Sequence, residues 1–327
     1  MKGKSKMKGK VTRRQFISTT AAAAACTMVA PYVLGQRRSK PNSNFNGVQI
    51  GINVYSFRAL PMTADDILDY MVKLGINSVE HRNPPIEEFA GAPSTQIPRP
   101  PRGTKLTEEQ RAEMQAARKT QAEELRKWRL SPPWEKFREL RRKYNNEGID
   151  IYIVKFPELG TMTDGELDYA FNVAKILGAK GITTEMSEET AKRVGPFADK
   201  HNIMVGLHNH TNVTPQSFDV PLSYAKYNSL NFDIGHWVAG TNLSPLPIIQ
   251  KYHSRMLSLH IKDRKVNNGP NMPLGQGDTP LALALWMMQR EKYPFTADIE
   301  YEVRTPEDSD VLTEIAKQVE FCREVLT

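Results

Sequence analysis

The sequence predicts a (β/α)₈ barrel, because eight short β-type segments alternate with amphipathic or charged segments after residue 47. Glycine stands near the junction between a predicted helix and the next strand in KLGI, ILGAKGI and EGIDI, as expected for helix C-caps. A doubly wound sheet would usually have fewer strands and a glycine-rich first turn, which GINVYSF lacks. The predicted strands are residues 49–57, 77–83, 149–157, 181–186, 203–210, 231–236, 256–262 and 295–302. The helices predicted between them include residues 64–74, 164–177, 188–200 and 244–252.

Residues 1–35 have the layout of an export signal and are set apart from the barrel. A lysine-rich start and the pair Arg13 and Arg14 precede an alanine-rich apolar run, which is typical of twin-arginine signals. A membrane anchor or a buried helix is the alternative, but the run is short and ends in small residues. The run also contains Cys26 in a lipoprotein-like context, although apolar residues continue beyond it. We therefore expect export to the periplasm, with residues 36–47 as a linker and residues 48–327 as the barrel.

The charge of the chain gives no support for nucleic-acid binding. Seven of the 44 lysines and arginines, and none of the 37 acidic residues, lie in residues 1–35. The remainder is therefore nearly neutral, and no basic surface is expected.

Cys322 is the only cysteine beyond residue 35, so an internal disulfide is not expected there. No second apolar run has the length of a membrane span, and a homo-oligomer is compatible with the sequence.

One connection, about residues 84–133, is too long for a simple barrel loop. Its first part is rich in proline, and a charged helix then begins with Thr107 as N-cap and Gln110 completing a capping box. Loops that follow barrel strands lie on the catalytic face. The insertion is therefore either a solvated decoration or a lid or dimer contact over the barrel mouth.

Polar side chains alternate with apolar ones along the last five predicted strands. In residues 256–262, for example, leucine and isoleucine occupy one face, while Ser258, His260 and Lys262 occupy the other. The apolar face packs on the helices, so the polar face points to the barrel axis. The side chains that this pattern brings together are Glu185, His208, His210, Asp233, His260 and Glu300.

Carboxylates in such a small volume need positively charged groups close to them. Ion pairs with Lys155 or Lys262 would provide it, and so would one divalent metal ion. Five of the seven histidines fall at predicted strand ends, which favours the metal: His81, His208, His210, His236 and His260. Histidine and carboxylate ligands suit Mn, Co, Zn or Mg.

Three segments resemble the xylose-isomerase-like (β/α)₈ barrels, which include sugar isomerases and epimerases, inosose dehydratases and endonuclease IV. They are FDIGHW, LHIKD with the later LGQGD, and DIEYE, and the resemblance covers roughly residues 48–325. It implies that Asp233, His260 and Glu300 hold one metal. The epimerases usually have glutamate on the fifth strand, but VGLHNHT places His208 there, and Glu185 lies one strand earlier. Either of these two residues, or both, would complete the coordination.

The resemblance does not extend to a trinuclear nuclease site. Lys155 and Glu185 stand where the nuclease would have extra histidines, and NNGPNMPLGQGD lacks the required Asp-x-His. A site with one metal suits sugar chemistry and not phosphodiester cleavage.

A metal and nearby bases suit removal of a proton next to a sugar carbonyl, with the metal stabilising the enediolate. Glu185, His208 and Glu300 are the candidate catalytic residues. The predicted substrate-binding residues are His210 and His236, for hydroxyl groups, and Lys155 and Lys262, for an oxyanion.

We therefore expect an isomerase or epimerase of an unphosphorylated sugar or keto-sugar. The alternative is a lyase or dehydratase that eliminates the β-substituent of a 3-keto-glycoside or inosose. A third hypothesis is a sugar-binding barrel without catalysis.

Overall fold

The computed structural model describes residues 40–93, 104 and 106–327, and eight parallel strands in it close into a barrel. Each strand pairs with the next one along the chain, and the eighth pairs with the first. Strands β1 to β8 are Val48–Asn53, Ser78–Arg82, Asp150–Lys155, Gly181–Glu185, Met204–His208, Asn228–Asp233, Met256–Ile261 and Thr296–Ile299. The prediction of a (β/α)₈ barrel is confirmed.

Helices follow the strands and cover the outside of the barrel with buried apolar side chains. Helices α1 to α11 are Ala64–Leu74, Asn83–Phe89, Glu108–Arg129, Trp134–Asn146, Asp164–Leu177, Glu188–His201, Asp219–Ser223, Ile234–Thr241, Leu246–Tyr252, Leu281–Glu291 and Val311–Leu326. Thr107 and Gln110 form the predicted capping box at the start of α3, which confirms that expectation. None of the helices in the described ranges has the length and hydropathy that crossing a membrane requires.

Three predicted segments lie outside the described residues, wholly or in part. They are the export signal with Cys26, residues 36–39 of the linker, and most of the proline-rich part of the insertion. The first predicted strand is too long at its C-terminal end. Val54–Phe57 is a 3₁₀ helix, because the Asn53 side chain accepts a hydrogen bond from the backbone N–H of Tyr55 and ends the extended backbone.

A buried arginine anchors the insertion to the barrel. Arg129 ends α3, and its guanidinium donates to Glu87 at 2.8 and 3.1 Å and to Glu158 at 2.6 Å. It also lies 3.3 Å from Glu166. These carboxylates belong to α2, to the loop after β3 and to α5, so one side chain joins the insertion to three other elements. Apart from Arg129, only Leu125 of α3 is buried, and most of this helix faces solvent.

Replacing Arg129 should destabilise the fold strongly. We expect Arg129→Ala to lower the free energy of unfolding by about 3–5 kcal/mol, because Glu87 stays buried without its cation. Urea denaturation followed by circular dichroism measures this effect. The matched control is Arg126→Ala, which removes an arginine that is 47% exposed from the same helix and should change stability by about 1 kcal/mol or less. Equal effects of the two variants would contradict the anchoring role.

Candidate metal centre

The ends of β5 to β8 bring four potential metal ligands together at the barrel mouth. His208 ends β5, Asp233 ends β6, His260 lies near the end of β7, and Glu300 directly follows β8. All four side chains are buried, and one ligand atom from each lies within 4.8 Å of the others. We call this set the four-residue group. Carboxyl ends of barrel strands are the positions from which such folds build their active sites.

Three buried atoms of the four-residue group have no hydrogen-bond partner among the described residues: Oδ2 of Asp233, Nδ1 of His260 and Oε2 of Glu300. Asp233 accepts a hydrogen bond from the backbone N–H of His236 through Oδ1 at 2.7 Å, but its Oδ2 has none. Nδ1 of His260 also has none and lies 3.4 Å from Oε2 of Glu300. Buried polar atoms without partners are rare in folded proteins, since each loses its hydration without compensation. A divalent cation bound by these atoms would satisfy them, so the residues fit a metal site.

Glu80 of β2, which was not among the predicted site residues, orients His260. Its carboxylate accepts hydrogen bonds from Thr183 at 2.7 Å, from Asn231 at 3.2 Å and from Nε2 of His260 at 2.6 Å. Burial acts to raise the pKa of Glu80, but the charge and hydrogen bond of His260 outweigh it and lower that pKa. Because Nε2 of His260 donates to this carboxylate, Nδ1 faces the four-residue group and is the nitrogen that would bind a metal. Burial acts to lower the pKa of His260, but the charges of Glu80 and Glu300 outweigh it and raise that pKa, so metal binding would displace a proton from Nδ1.

The same carboxylate orients His208 through an intervening asparagine. The amide nitrogen of Asn231 donates to Glu80 and to the Ser258 hydroxyl, the latter at 2.6 Å. The amide oxygen therefore accepts from Nδ1 of His208 at 2.8 Å. Nε2 of His208 is left with a free lone pair, as a metal ligand requires. Burial, with the charges of Lys155 and His260, lowers the pKa of His208 well below its usual value, so this imidazole is neutral.

Glu185 lies outside the four-residue group. Its carboxylate contacts Lys155 at 2.9 Å and Nε2 of His210 at 2.7 Å, and its side chain is 45% exposed. Burial acts to raise the pKa of Glu185, but the hydrogen bond from His210 and the charge of Lys155 outweigh it and lower that pKa. The same hydrogen bond raises the pKa of His210. The pair therefore combines an ionised carboxylate with an imidazole, which suits proton transfer.

The ion pairs considered as an alternative to a metal exist beside the four-residue group. Lys262 lies 2.8 Å from Glu300 and 3.5 Å from Asp233. Within the described part of the chain, five carboxylates and three cationic side chains meet at the mouth. The carboxylates are Glu80, Glu185, Asp233, Glu300 and Glu302, and the cations are Arg82, Lys155 and Lys262. The carboxylates outnumber the lysine and arginine side chains, and a divalent ion would supply further positive charge.

His236 lies between two cationic side chains at the cavity. Its Nδ1 lies 2.9 Å from the guanidinium of Arg264 and its Nε2 lies 3.2 Å from the ammonium group of Lys262, and both of these groups can only donate. Two hydrogen bonds to the Gly269 carbonyl, at 2.6 and 3.2 Å, hold that guanidinium in place. Burial lowers the pKa of His236, so its imidazole is neutral and suited to bind a substrate hydroxyl. Arg264 was not predicted, although it lies in the KDR segment directly after β7.

The predicted substrate-binding residues share one cavity of about 210 Å³ at the mouth. Lys155, His210, His236 and Lys262 line it together with Glu185, His208 and Glu300. Asn53, Tyr55, Arg82 and Glu302, which were not predicted, also line it. Asn53 donates to Glu300 at 3.1 Å. Asn53 and Arg82 could have been predicted as cavity residues, because each ends a barrel strand.

His81 points away from this cavity. Its Nε2 lies 3.0 Å from the Tyr144 hydroxyl of α4, and its Nδ1 lies 3.0 Å from the Arg82 carbonyl. It is a buried, hydrogen-bonded residue on the outer face of β2, because it alternates with Glu80.

Replacing Glu80 should weaken metal binding without removing a ligand. We expect Glu80→Gln to bind Mn²⁺ or Zn²⁺ about 10–100-fold more weakly, because an amide no longer holds His260 in the required tautomer. Isothermal titration calorimetry measures the affinity, and cooperative thermal unfolding of the metal-free variant shows that it is folded. An affinity equal to that of the wild type would contradict this role.

His208 and Glu185 can be distinguished by the same titration. We expect His208→Gln to lose more affinity than Glu80→Gln, since a ligand is removed, whereas Glu185→Gln should bind metal as the wild type does. The grouping of His208 with Asp233, His260 and Glu300 is the reason. Loss of metal binding in Glu185→Gln would show instead that Glu185 is a ligand.

No protein-family model matches the chain, and no curated protein matches it either. Solved structures do share its fold. A sugar phosphate isomerase/epimerase from Parabacteroides distasonis is 15% identical, with a TM-score of 0.57 and coverage of 86% of this chain and 96% of its own. The probable 3-DHS dehydratase AsbF from Bacillus anthracis, involved in petrobactin synthesis, is 12% identical, with a TM-score of 0.56 and coverage of 84% and 98%.

A third solved structure contains a metal. It is a xylose isomerase-like TIM-barrel protein from Mycobacterium smegmatis in complex with magnesium, 15% identical, with a TM-score of 0.51 and coverage of 86% of this chain and 97% of its own. At these identities the likeness concerns the fold alone. The chain therefore shares the (β/α)₈-barrel fold of these structures.

Proposed function

We propose that this protein is a metal-dependent isomerase or epimerase that acts on an unphosphorylated sugar or keto-sugar through an enediolate. The observation that carries the proposal is the four-residue group, with its unsatisfied atoms on Asp233, His260 and Glu300, at the mouth of the barrel. The magnesium complex and the isomerase/epimerase among the proteins of the same fold support it.

His208, Asp233, His260 and Glu300 would hold one Mn, Co, Zn or Mg ion. When bound, that ion would polarise a substrate carbonyl and stabilise the negative charge that develops on the enediolate oxygens. The imidazole of His236 and the ammonium group of Lys262, whose nitrogens are 3.2 Å apart, would both contact the same substrate hydroxyl.

The proton on the carbon beside the carbonyl would pass to Glu185. Its lowered pKa keeps this carboxylate ionised, and its hydrogen bond to His210 positions it at the cavity. His210 would then return a proton to the substrate. Lys155, 2.9 Å from Glu185, fixes the other carboxylate oxygen.

A second candidate is a lyase or dehydratase that performs β-elimination on a 3-keto-glycoside or inosose. A groove of about 490 Å³ shares His210 with the cavity and continues past Met186 to Val220. This groove would accommodate a leaving group at the β-carbon, and His210 would protonate that group. The dehydratase among the proteins of the same fold also favours this alternative.

Incubation in deuterated buffer separates the two candidates. The Mn²⁺-loaded protein is given free ketoses and 3-keto-glucosides, and the products are followed by NMR. An epimer with deuterium at one carbon identifies an isomerase or epimerase, whereas release of the aglycone identifies a lyase. Binding without hydrogen exchange would leave only a sugar-binding protein.

Removal of the metal should abolish either activity, and added Mn²⁺ should restore it. Glu185→Gln should lower the exchange rate by about 10²–10⁴-fold, because the proton acceptor is lost. The matched control is Glu189→Gln, which changes an exposed glutamate of α6 that lines neither the cavity nor the groove and should leave exchange unchanged. Turnover that survives complete removal of metal would contradict the proposed mechanism.

A further inference from the structure

Arg82 differs from the other cationic side chains of the cavity in its partners. Lys155 is paired with Glu185 at 2.9 Å, and Lys262 is paired with Glu300 at 2.8 Å. Arg82 lines the same cavity, yet no carboxylate among the described residues forms an ion pair with it. A guanidinium is always charged, so this one is available to a charged ligand.

Its neighbours hold Arg82 in place without using its hydrogen-bond donors. Arg82 ends β2 two residues after Glu80, on the inward phase, and stands opposite Lys155 of β3. Its guanidinium carbon lies 5.5 Å from the centre of the Tyr55 ring, a cation–π contact. The guanidinium of Arg58 also contacts this ring at 5.1 Å, but its Nη1 donates to the Tyr301 carbonyl at 2.6 Å.

The positive charge without an ion-pair partner lies on the β2 side of the cavity. Lys155 is neutralised by Glu185, and Lys262 lies beside Glu300 and Glu302 after β8, so Arg82 carries this charge. A substrate with an anionic group would place that group toward β2, and its reacting carbon would then lie nearer the four-residue group.

We propose that Arg82 and Tyr55 form a subsite for a carboxylate of the substrate, so that the sugar is an acidic one of the uronate type. This inference deepens the proposed function and rests on it. The planar guanidinium offers parallel N–H groups that match the two oxygens of a carboxylate. One unpaired guanidinium balances one negative charge, whereas a phosphate carries nearly two and has three acceptor oxygens.

Binding of methyl β-glycosides, which cannot open to a carbonyl form, tests the subsite independently of turnover. The metal-loaded protein is titrated by calorimetry with the methyl β-glycosides of D-glucuronate, of its methyl ester, of D-glucose and of glucose 6-phosphate. We expect glucuronate to bind about 10–100-fold more tightly than the ester and glucose, the range for a hydrogen bond to a charged group. Tighter binding of the phosphate than of glucuronate would overturn the assignment to a carboxylate.

Two variants locate the effect. Arg82→Gln should remove the preference for glucuronate, and Arg82→Lys should restore only part of it because lysine lacks the planar donors. Arg58→Gln is the matched control, since Arg58 contacts the same ring but does not line the cavity. The Arg58→Gln variant should prefer glucuronate over the ester and glucose to the same extent as the wild type. A preference that survives in Arg82→Gln would overturn the subsite.

The subsite and the proposed function can fail separately. Glucuronate binding that depends on Arg82 would support the subsite even if no sugar were isomerised. Conversely, deuterium exchange into neutral ketoses at the same kcat/KM in wild type and Arg82→Gln, with no acidic substrate turned over, would overturn the subsite and retain the isomerase.

Discussion

The carboxylate of Glu80 lies at the barrel axis, where side chains from β4, β6 and β7 donate hydrogen bonds to it. Such a buried charge is tolerated only because several donors replace its hydration. Its hydrogen bonds hold Nε2 of His260 and, through Asn231, Nδ1 of His208, so the other nitrogen of each ring faces the four-residue group. A single acid on the opposite side of the barrel thus orients two imidazoles from different strands toward one place.

Asp233 connects this centre to the surrounding fold. One oxygen accepts the N–H of His236 and caps α8, while the other remains free beside Lys262 and His260. The capping hydrogen bond fixes the orientation of the Asp233 carboxylate, and the N-terminal end of α8 stabilises the negative charge of that carboxylate. The same turn places His236 at the cavity. Helix formation and assembly of the site therefore use the same few residues.

Alternation of strands and helices along the chain was sufficient to predict the barrel. Alternation of polar and apolar residues within the strands predicted the convergence of Asp233, His260 and Glu300, because side-chain direction in a strand depends only on position. It could equally have revealed Glu80, which has the inward phase of SVEHR, but the adjacent His81 was the more conspicuous residue. Local pattern could not reveal Arg264. Its contact with His236 depends on the path of the loop after β7, which is determined by tertiary hydrogen bonds.

The roles of Glu185 on β4 and His208 on β5 also could not be predicted from the local sequence pattern. Both Glu185 and His208 have the inward phase, and sequence alone left their roles open. Their separation in the structure follows from neighbours on other strands: Lys155 and His210 hold the carboxylate, while Asn231 holds the imidazole. The position of a residue in a strand predicts whether its side chain points inward. Which of two inward side chains joins the four-residue group depends on the residues that hydrogen-bond to each of them.

The anchoring of α3 by Arg129 has an evolutionary consequence. Loss of the insertion by deletion would remove the guanidinium and leave Glu87, a buried residue of α2, with only Asn83 and Tyr169 as hydrogen-bond partners. A shortened descendant would therefore need a compensating replacement at Glu87 before or together with the deletion. The insertion and the loop that carries it can be expected to diverge as a unit, even though most of α3 faces solvent.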